Sequence, residues 1–333
     1  FDIRQQASQS TGLAPEAILV AAIHNHSGPS AKDAGNWNKP FASLVAEAIV
    51  RAWENLQPAR LASGAGVLYG YSINRRWFER PIDPGVGVLR LDDQKGNVLG
   101  TVVNFGLHAV VLGGDNLQIS ADYVGYARDA VEQAVGGVCV FTNGGAGDVN
   151  PITETVRQQR AEGRYFTTMT GAHYYGQGPN AVFIEERKGG TFREAEILGN
   201  ALAEEVIRVA RGLVAAPLRV SPWSVQTWVN HLEKDKEEEL IETQALGVGD
   251  FALVAQPGEI FADSALAIKA GLRERGFSFP WVVSYANGYQ SYLAPSDARR
   301  EGGYEAERAE SRGHAPDIQS RLWLAIEPLL PRV

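Results

Sequence analysis

Short apolar runs alternate with amphipathic segments along most of the 333-residue chain, and this alternation constrains the fold more than any other feature. Residues 98–108 and 138–142 are rich in valine and other apolar residues, as expected of buried strands. Residues 41–56 and 192–213 instead repeat apolar side chains every three or four positions, the spacing of a helix with one buried face. The alternation predicts an α/β fold with mixed β-sheets flanked by helices, in a single large domain spanning residues 1–333.

The same patterns give the predicted elements. We predict helices at residues 41–56, 123–135, 192–213, 263–274 and 318–329, and strands at 17–24, 66–71, 86–91, 98–108, 138–142, 219–232, 240–248, 250–256 and 281–286. The charge run 233–239 predicts a solvated hairpin tip between two strands. Residues 152–190 carry aromatic residues among glycines without a clear period, which is typical either of a lid or substrate wall or of a disordered loop.

Composition narrows the class of protein and its partners. A hydrophobic content of 44% with 21% charged residues is typical of a globular protein. The net charge is −8 and Lys and Arg form no cluster, which argues against nucleic acid as a partner. No apolar stretch reaches the roughly 18 residues of a transmembrane segment. Cys139 is the one cysteine, so any metal must be bound by His, carboxylate or phenolate ligands.

Histidines stand at the ends of two predicted strands. His24 and His26 lie two residues apart, where the turn residues Ser-Gly-Pro end an apolar run. Residues two apart on a strand face the same side, so both imidazoles are expected in one pocket. His108 ends a second apolar run. Two strand ends that each supply an imidazole are typical of a zinc site, although a histidine at a strand end can also simply cap the backbone.

Three further segments follow predicted strands. Glu259 comes after a Pro-Gly turn and just before a helix, so it is either a carboxylate at a helix N-terminus or a third metal ligand. Tyr292 lies in an aromatic turn, and such tyrosines usually only pack. The glycine-rich residues 142–151 lack the Lys-Ser/Thr of a phosphate-binding loop and the third glycine of a dinucleotide fingerprint. We therefore predict a tight turn near the site there.

Taken in order, these motifs resemble the neutral ceramidase family (neutral/alkaline, non-lysosomal), specifically its catalytic domain. The resemblance extends from about residue 17 to about residue 314. Its elements are His-Asn-His-Ser-Gly-Pro at 24–29, similar to His-Thr-His-Ser-Gly-Pro, Asn-Arg at 74–75, Asn-Phe-Gly-Leu-His at 104–108, Ser-Ala-Asp-Tyr-Val-Gly at 120–125, Gly-Asp-Val-Asn-Pro at 147–151, similar to Gly-Asp-Val-Ser-Pro, and the pair Tyr292 and Tyr304-Glu305.

The resemblance implies a zinc-dependent hydrolase that cleaves an N-acyl amide bond, with ceramide as the first substrate and a sphingoid base and a fatty acid as products. It implies one zinc ion per chain, held by His24, His108, Glu259 and Tyr292. Zinc in such a site lowers the pKa of a bound water to about 7, and this water would attack the amide carbon.

Further roles follow from the same resemblance. His26 would be the acid–base group, and Arg75 and Tyr304 would stabilise the reacting carbonyl. We also expect Asp122 to orient a ligand histidine. The resemblance suggests a secreted or periplasmic location.

Departures from the family pattern leave the substrate open. Asn25 replaces the family's threonine, Asn150 replaces its serine, and residues 295–301 differ from the corresponding family stretch. These changes leave the metal chemistry intact, whereas the lipid specificity can differ. The alternatives are therefore a related metal-dependent amidase or esterase acting on a non-sphingolipid substrate, and a non-catalytic binding protein that contains a metal.

Overall fold

The computed structural model describes residues 2–29, 39–77, 79–161, 173–175, 182–184, 189–233 and 236–333. The helices are α1 Asp2–Thr11, α2 Phe41–Glu54, α3 Asp122–Val135, α4 Glu154–Ala161, α5 Phe192–Gly212, α6 Ala262–Glu274, α7 Ser296–Glu301, α8 Tyr304–Ser311 and α9 Ile318–Ile326. The strands are β1 Arg60–Val67, β2 Ser72–Asn74, β3 Gly85–Asp92, β4 Val98–Phe105, β5 Val138–Asn143, β6 Val149–Pro151, β7 His173–Tyr175, β8 Val182–Ile184, β9 Trp223–Asn230, β10 Leu240–Val248, β11 Phe251–Ala255, β12 Glu259–Ile260, β13 Phe279–Val283 and β14 Tyr292–Leu293.

Two four-stranded mixed sheets form the centre of the molecule. The first sheet has the order β1-β3-β4-β5, in which only β4 and β5 are parallel. The second sheet has the order β13-β11-β10-β9, in which only β11 and β13 are parallel. The predicted α/β fold of mixed sheets flanked by helices is confirmed. The antiparallel pairing of β9 with β10 also confirms the predicted hairpin around the charge run.

The two sheets pack face to face and helices cover their outer faces. Leu253 of β11 lies in a buried cluster that also contacts Leu89 and Val102 of the first sheet. Its neighbour Val254 points the opposite way and packs in the cluster formed with α6 and α9. Successive strand residues thus serve opposite faces. Helices α3 and α5 cover the outer face of the first sheet, which gives a helix–sheet–sheet–helix arrangement.

Helix α5 shows how local sequence sets an element's start. The Thr191 hydroxyl accepts a hydrogen bond from the Glu194 backbone N–H at 3.2 Å, and the Glu194 carboxylate accepts one from the Thr191 N–H at 2.7 Å. This reciprocal capping box satisfies two amide groups that a helix start leaves without partners. No helix within the described ranges is long and apolar enough to cross a membrane.

Three predicted elements differ from the structure. Residues 17–24 do not form a strand, because Pro15–Ala17 is a 3-10 helix and only Ala21 makes a single bridge, to Ala286. The strand predicted at 66–71 is instead Arg60–Val67, followed by the short β2. Within 152–190, helix α4 and the β7–β8 hairpin replace part of the predicted irregular stretch. The lid or substrate wall predicted there falls mainly on residues outside the described ranges.

The parallel pairs place their carboxyl ends at one common edge. The Ser284 N–H, just after β13, donates to the carbonyl of Asn143 at the end of β5 (2.9 Å). The Leu107 N–H, just after β4, donates to the side-chain oxygen of the same asparagine (3.2 Å). Loops that follow parallel strands in open α/β sheets are the usual place for a ligand.

Candidate metal centre

Three histidine rings converge at this edge. The Nε2 atoms of His24 and His26 are 3.1 Å apart. The ring of His108 lies 5.3 Å from that of His24 and 5.9 Å from that of His26, centroid to centroid. One ring nitrogen from each residue can be chosen so that all lie within 4.8 Å of one another, so the group could hold a metal ion. The predicted meeting of distant histidines is therefore observed.

The reason why His24 and His26 meet differs from the predicted one. His24 has φ of 58°, the left-handed region, so the alternation of a strand does not bring the two rings together. This conformation costs a non-glycine residue about 1–3 kcal/mol and requires support from its surroundings. The Ala22 N–H donates to the Tyr285 carbonyl (3.1 Å) and the His26 N–H to the Ala109 carbonyl (3.2 Å). These bonds hold the chain on both sides of His24.

His108 is held with one ring nitrogen free for a ligand. Its Nδ1 lies 2.5 Å from the Ala146 carbonyl oxygen and 3.2 Å from that of Val149, so Nδ1 carries the proton and donates. Nε2 then keeps its lone pair and lies 3.1 Å from Glu259 Oε2. The Ala146 carbonyl belongs to the glycine-rich stretch 142–151, which confirms the tight turn predicted beside the site.

Glu259 faces the histidines. Its Oε2 lies 3.1 Å from His108 Nε2 and 3.6 Å from His24 Nε2. The sequence left open whether Glu259 is instead the carboxylate at the N-terminus of the following helix, α6. That carboxylate is Asp148, whose Oδ1 accepts the Ala262 N–H at the start of α6 (2.8 Å). Burial raises the pKa of Asp148 to about 6. The local sequence carried no signal for this cap, because Asp148 is more than a hundred residues from the helix.

Backbone contact with the turn also fixes Glu259. A Cβ added to Gly147 would lie 2.9 Å from the Glu259 carbonyl oxygen and 3.0 Å from that of Ile260. The Gly147 N–H donates to the Ile260 carbonyl at 2.8 Å. Glycine is therefore required at this position for the turn to approach β12 so closely.

The donor set fits a zinc ion. Zinc binds imidazole nitrogen and carboxylate oxygen at about 2.0–2.2 Å, and two such donors around a tetrahedral ion lie roughly 3.3 Å apart. The observed separations of Glu259 Oε2 from His108 and His24 bracket this value. Burial lowers the pKa of His24 and His108 to about 3 and that of His26 to about 4, so the rings are neutral near pH 7. Neutral imidazoles offer the lone pairs that a metal needs.

Tyr292 and Arg75 form the wall beside Glu259. Tyr292 is the residue opposite Glu259 in the parallel pair β12–β14, and its side chain lines the same pocket. Its hydroxyl oxygen accepts a hydrogen bond from Arg75 Nη2 at 2.9 Å. Arg75 is buried and also donates to Asn150 Oδ1 (3.2 Å). The Arg75 guanidinium thus lies behind Tyr292, and its positive charge acts on the pocket through its hydrogen bond to the Tyr292 hydroxyl.

Two adjacent arginines share one buried carboxylate. Arg75 Nε donates to Glu305 Oε1 at 2.7 Å, and Arg76 Nη1 donates to Glu305 Oε2 at 2.8 Å. All three residues are at most 3% exposed. Burial alone would raise the pKa of Glu305, but the two arginines hold it below its ordinary value. Sequence analysis assigned no role to Arg76 or Glu305, although both stand next to predicted site residues.

The pocket is a cavity of about 280 Å³ beside the histidines. The Tyr304 ring contacts that of Tyr292 edge to face, with centroids 5.7 Å apart, and the Arg308 guanidinium lies 5.2 Å from the Tyr304 ring. The lining residues are His24, His26, Glu259, Tyr289, Ser291, Tyr292, Tyr304 and Arg308. Tyr289 was not predicted, and its position in a turn gave no signal for its contact with Glu259 (2.7 Å between Oη and Oε1).

Asp122 does not orient a histidine, so that prediction is wrong. Its Oδ2 accepts the Leu112 N–H at 2.9 Å and its Oδ1 accepts the Tyr123 N–H at 2.7 Å. The carboxylate therefore holds the backbone that follows His108. Its own φ of 58° shows that this position, too, is locally constrained.

Comparison with known proteins agrees with this architecture. The family profile described as "Neutral/alkaline non-lysosomal ceramidase, N-terminal" matches residues 7–230. The chain is 27% identical to neutral ceramidase A of Dictyostelium discoideum over 171 residues, which cover 41% of this chain and 24% of the relative. It is 30% identical to the neutral ceramidase of Pseudomonas aeruginosa over 161 residues, covering 40% and 24% of the two chains.

Two further comparisons extend over more of the chain. The neutral ceramidase of Mycobacterium tuberculosis is 24% identical over 392 aligned positions, covering 86% of this chain and 59% of the relative. The crystal structure of the Pseudomonas aeruginosa neutral ceramidase superposes on the whole chain with a TM-score of 0.72 at 18% identity, covering 65% of that structure. The chain thus spans only part of the length of these relatives. Because the family profile matches about two thirds of it, the chain belongs to the neutral/alkaline non-lysosomal ceramidase family.

Proposed function

We propose that this protein is a zinc-dependent hydrolase of N-acyl amide bonds, with ceramide as the first candidate substrate. The observation that carries the proposal is the convergence of His24, His108 and Glu259 beside a pocket, in a chain of this family. These residues and Tyr292 are the proposed ligands of one zinc ion. We further propose residues 1–333 as a single catalytic domain.

The bound zinc would supply a Lewis acid and lower the pKa of water to near neutrality. The chain's own residues prepare the site for it. Ala146 and Val149 fix the His108 tautomer, and burial keeps the imidazoles neutral. Burial raises the pKa of Tyr292, and the positive charge of Arg75 beside the Tyr292 oxygen acts in the opposite direction, toward the ionised phenol that a metal prefers.

His26 is the proposed acid–base group. Its ring is part of the pocket lining and is neutral near pH 7, so it can accept a proton from water. The oxygen of water bonds to the acyl carbon while the carbonyl double bond opens and leaves negative charge on its oxygen. When that double bond re-forms, the amide C–N bond breaks and His26 returns the proton to the leaving nitrogen. The products are a carboxylic acid, which ionises to the carboxylate, and a free amine.

Tyr304 and Arg75 are the proposed stabilisers of negative charge on the reacting carbonyl oxygen. Tyr304 lines the pocket and can donate its hydroxyl proton directly. Arg75 acts from behind Tyr292. A well-aligned donor to such an oxyanion contributes on the order of 3–4 kcal/mol to the transition state.

One observation supports the alternative of a non-sphingolipid amide or ester as substrate. Within the described part of the chain, the pocket lining consists of histidines, tyrosines, a serine, a glutamate and an arginine, with no aliphatic side chain. Ceramide carries two long alkyl chains, whereas such a lining fits a compact polar substrate group as well. The choice between these substrates needs a direct comparison.

The test combines metal content with hydrolysis. We expect purified wild-type protein reconstituted with zinc to release fatty acid from a short-chain ceramide or from N-acyl amino compounds. His26→Ala should keep one zinc per chain and lose turnover, whereas His24→Ala should lose both. Zinc bound without hydrolysis of any amide or ester would instead indicate the non-catalytic binding protein. Loss of zinc in His26→Ala would make His26 a ligand and refute its acid–base role.

A further inference from the structure

We infer that Tyr289 is the positioning residue that fixes the Glu259 carboxylate for metal binding. The inference rests on the proposed zinc site and assigns to it a residue outside the ligand set. Tyr289 Oη lies 2.7 Å from Glu259 Oε1. The other oxygen, Oε2, is the one that lies 3.1 Å from His108 Nε2 and 3.6 Å from His24 Nε2.

The two oxygens of the Glu259 carboxylate therefore have different partners. Oε2 faces the histidine nitrogens, where an ion would bind, and Oε1 accepts the tyrosine hydroxyl. Among the hydrogen bonds of the described residues, no other side chain donates to Oε1. Glu259 is only 1% exposed, so water has little access to take over this bond.

The backbone holds Tyr289 in this position. The Asn287 N–H donates to the Val20 carbonyl at 2.7 Å, and the Gln290 N–H donates to the Pro257 carbonyl at 2.6 Å. The Tyr289 ring lies nearly parallel to that of His24, 5.9 Å away with an interplanar angle of 28°. One tyrosine thus contacts two of the proposed ligands, through its ring and through its hydroxyl, while 55% of its surface remains exposed at the pocket.

A second hydrogen bond to a ligating carboxylate limits its rotation and keeps one oxygen directed at the metal. Loss of such an outer partner typically weakens metal binding by about 10- to 100-fold. Because the ring is retained in Tyr289→Phe, this variant removes the hydroxyl alone. Tyr69→Phe is the matched control, since Tyr69 is 67% exposed and lies outside the pocket lining.

The experiment measures the zinc dissociation constant by competition with a chromogenic chelator, and the thermal midpoint of the metal-free protein. For Tyr289→Phe we expect zinc binding to weaken about 10- to 100-fold with an unchanged metal-free midpoint. The control, Tyr69→Phe, should match the wild type in its zinc dissociation constant and in its metal-free thermal midpoint. A zinc affinity within twofold of wild type refutes the inference, and so does an equal loss of affinity in Tyr69→Phe. A lowered metal-free midpoint would refute it as well, because the residue would then be structural. Failure of the wild type itself to bind zinc would refute the proposed site, a result distinct from these.

Discussion

The buried charges behind the pocket allow a quantitative prediction, the effect of Glu305→Gln. Glu305 neutralises Arg75 and Arg76 through hydrogen bonds of 2.7 and 2.8 Å, at a site closed to solvent. Glutamine has nearly the same shape but no charge, so Arg75 would lose the carboxylate to which it donates, and Arg76 would keep only the partly exposed Glu301, 3.3 Å away. Removal of one partner from a buried ion pair costs about 3–5 kcal/mol. We expect a loss of that size in the free energy of unfolding.

The assay is urea unfolding of the metal-free protein at pH 7, followed by circular dichroism. Glu310→Gln is the control on the same helix, because its carboxylate is 56% exposed and lies 3.6 Å from Arg299. An exposed pair of this kind contributes under about 1 kcal/mol. The double variant Glu305→Gln, Arg76→Met should regain part of the loss, since it removes one of the two buried guanidinium charges that Glu305 neutralised. A cost for Glu305→Gln no larger than that of the control would refute the argument from burial.

Two further predictions concern packing and pH. Gly147→Ala should lower the free energy of unfolding by about 1–3 kcal/mol, because the new Cβ would press on the Glu259 backbone. The control is Gly212→Ala, where the space around the new Cβ is open; the free energy of unfolding should change by less than about 0.5 kcal/mol. Burial lowers the pKa of His314 to about 4, so the unfolded chain binds an extra proton below pH 6.5. Stability should therefore fall between pH 6.5 and 4 by up to about 3 kcal/mol through this residue. Between pH 4 and 6.5, a plot of the free energy of unfolding against pH should have a shallower slope for His314→Gln than for the wild type. An equal slope would contradict the prediction.

The sequence pattern was sufficient to predict the bounds of some elements. Strand β10 has the predicted bounds Leu240–Val248, and α5 ends within one residue of its prediction. Helix α5 repeats its apolar residues over its whole length, so local pattern and tertiary packing agree. Strand β10 is apolar at both ends, although its centre, Glu242–Gln244, is polar and buried. His108 and Glu259 could be predicted as candidate ligands because, in the sequence, both stand where a strand pattern gives way to turn residues.

Other parts of the site depend on contacts that a local pattern does not contain. The left-handed backbone of His24 lies between the bonds that Ala22 donates to Tyr285 and His26 donates to Ala109, and it replaces the strand that the apolar run suggested. The pairing of Arg76 with Glu305 joins residues 229 positions apart. Helix α1 was missed as well. Its Arg4 forms a buried ion pair with Glu242 (2.7 Å), and the polar sequence of the helix gives no clear apolar face.

In the proposed site, side chains from distant parts of the sequence bind one zinc ion. Diffraction data collected above and below the zinc absorption edge, from crystals of the zinc-loaded protein, would locate the ion directly. We expect a single anomalous peak about 2.0–2.2 Å from His24 Nε2, His108 Nε2 and Glu259 Oε2. A fully loaded crystal with its zinc elsewhere, or with no peak among these atoms, would contradict the account.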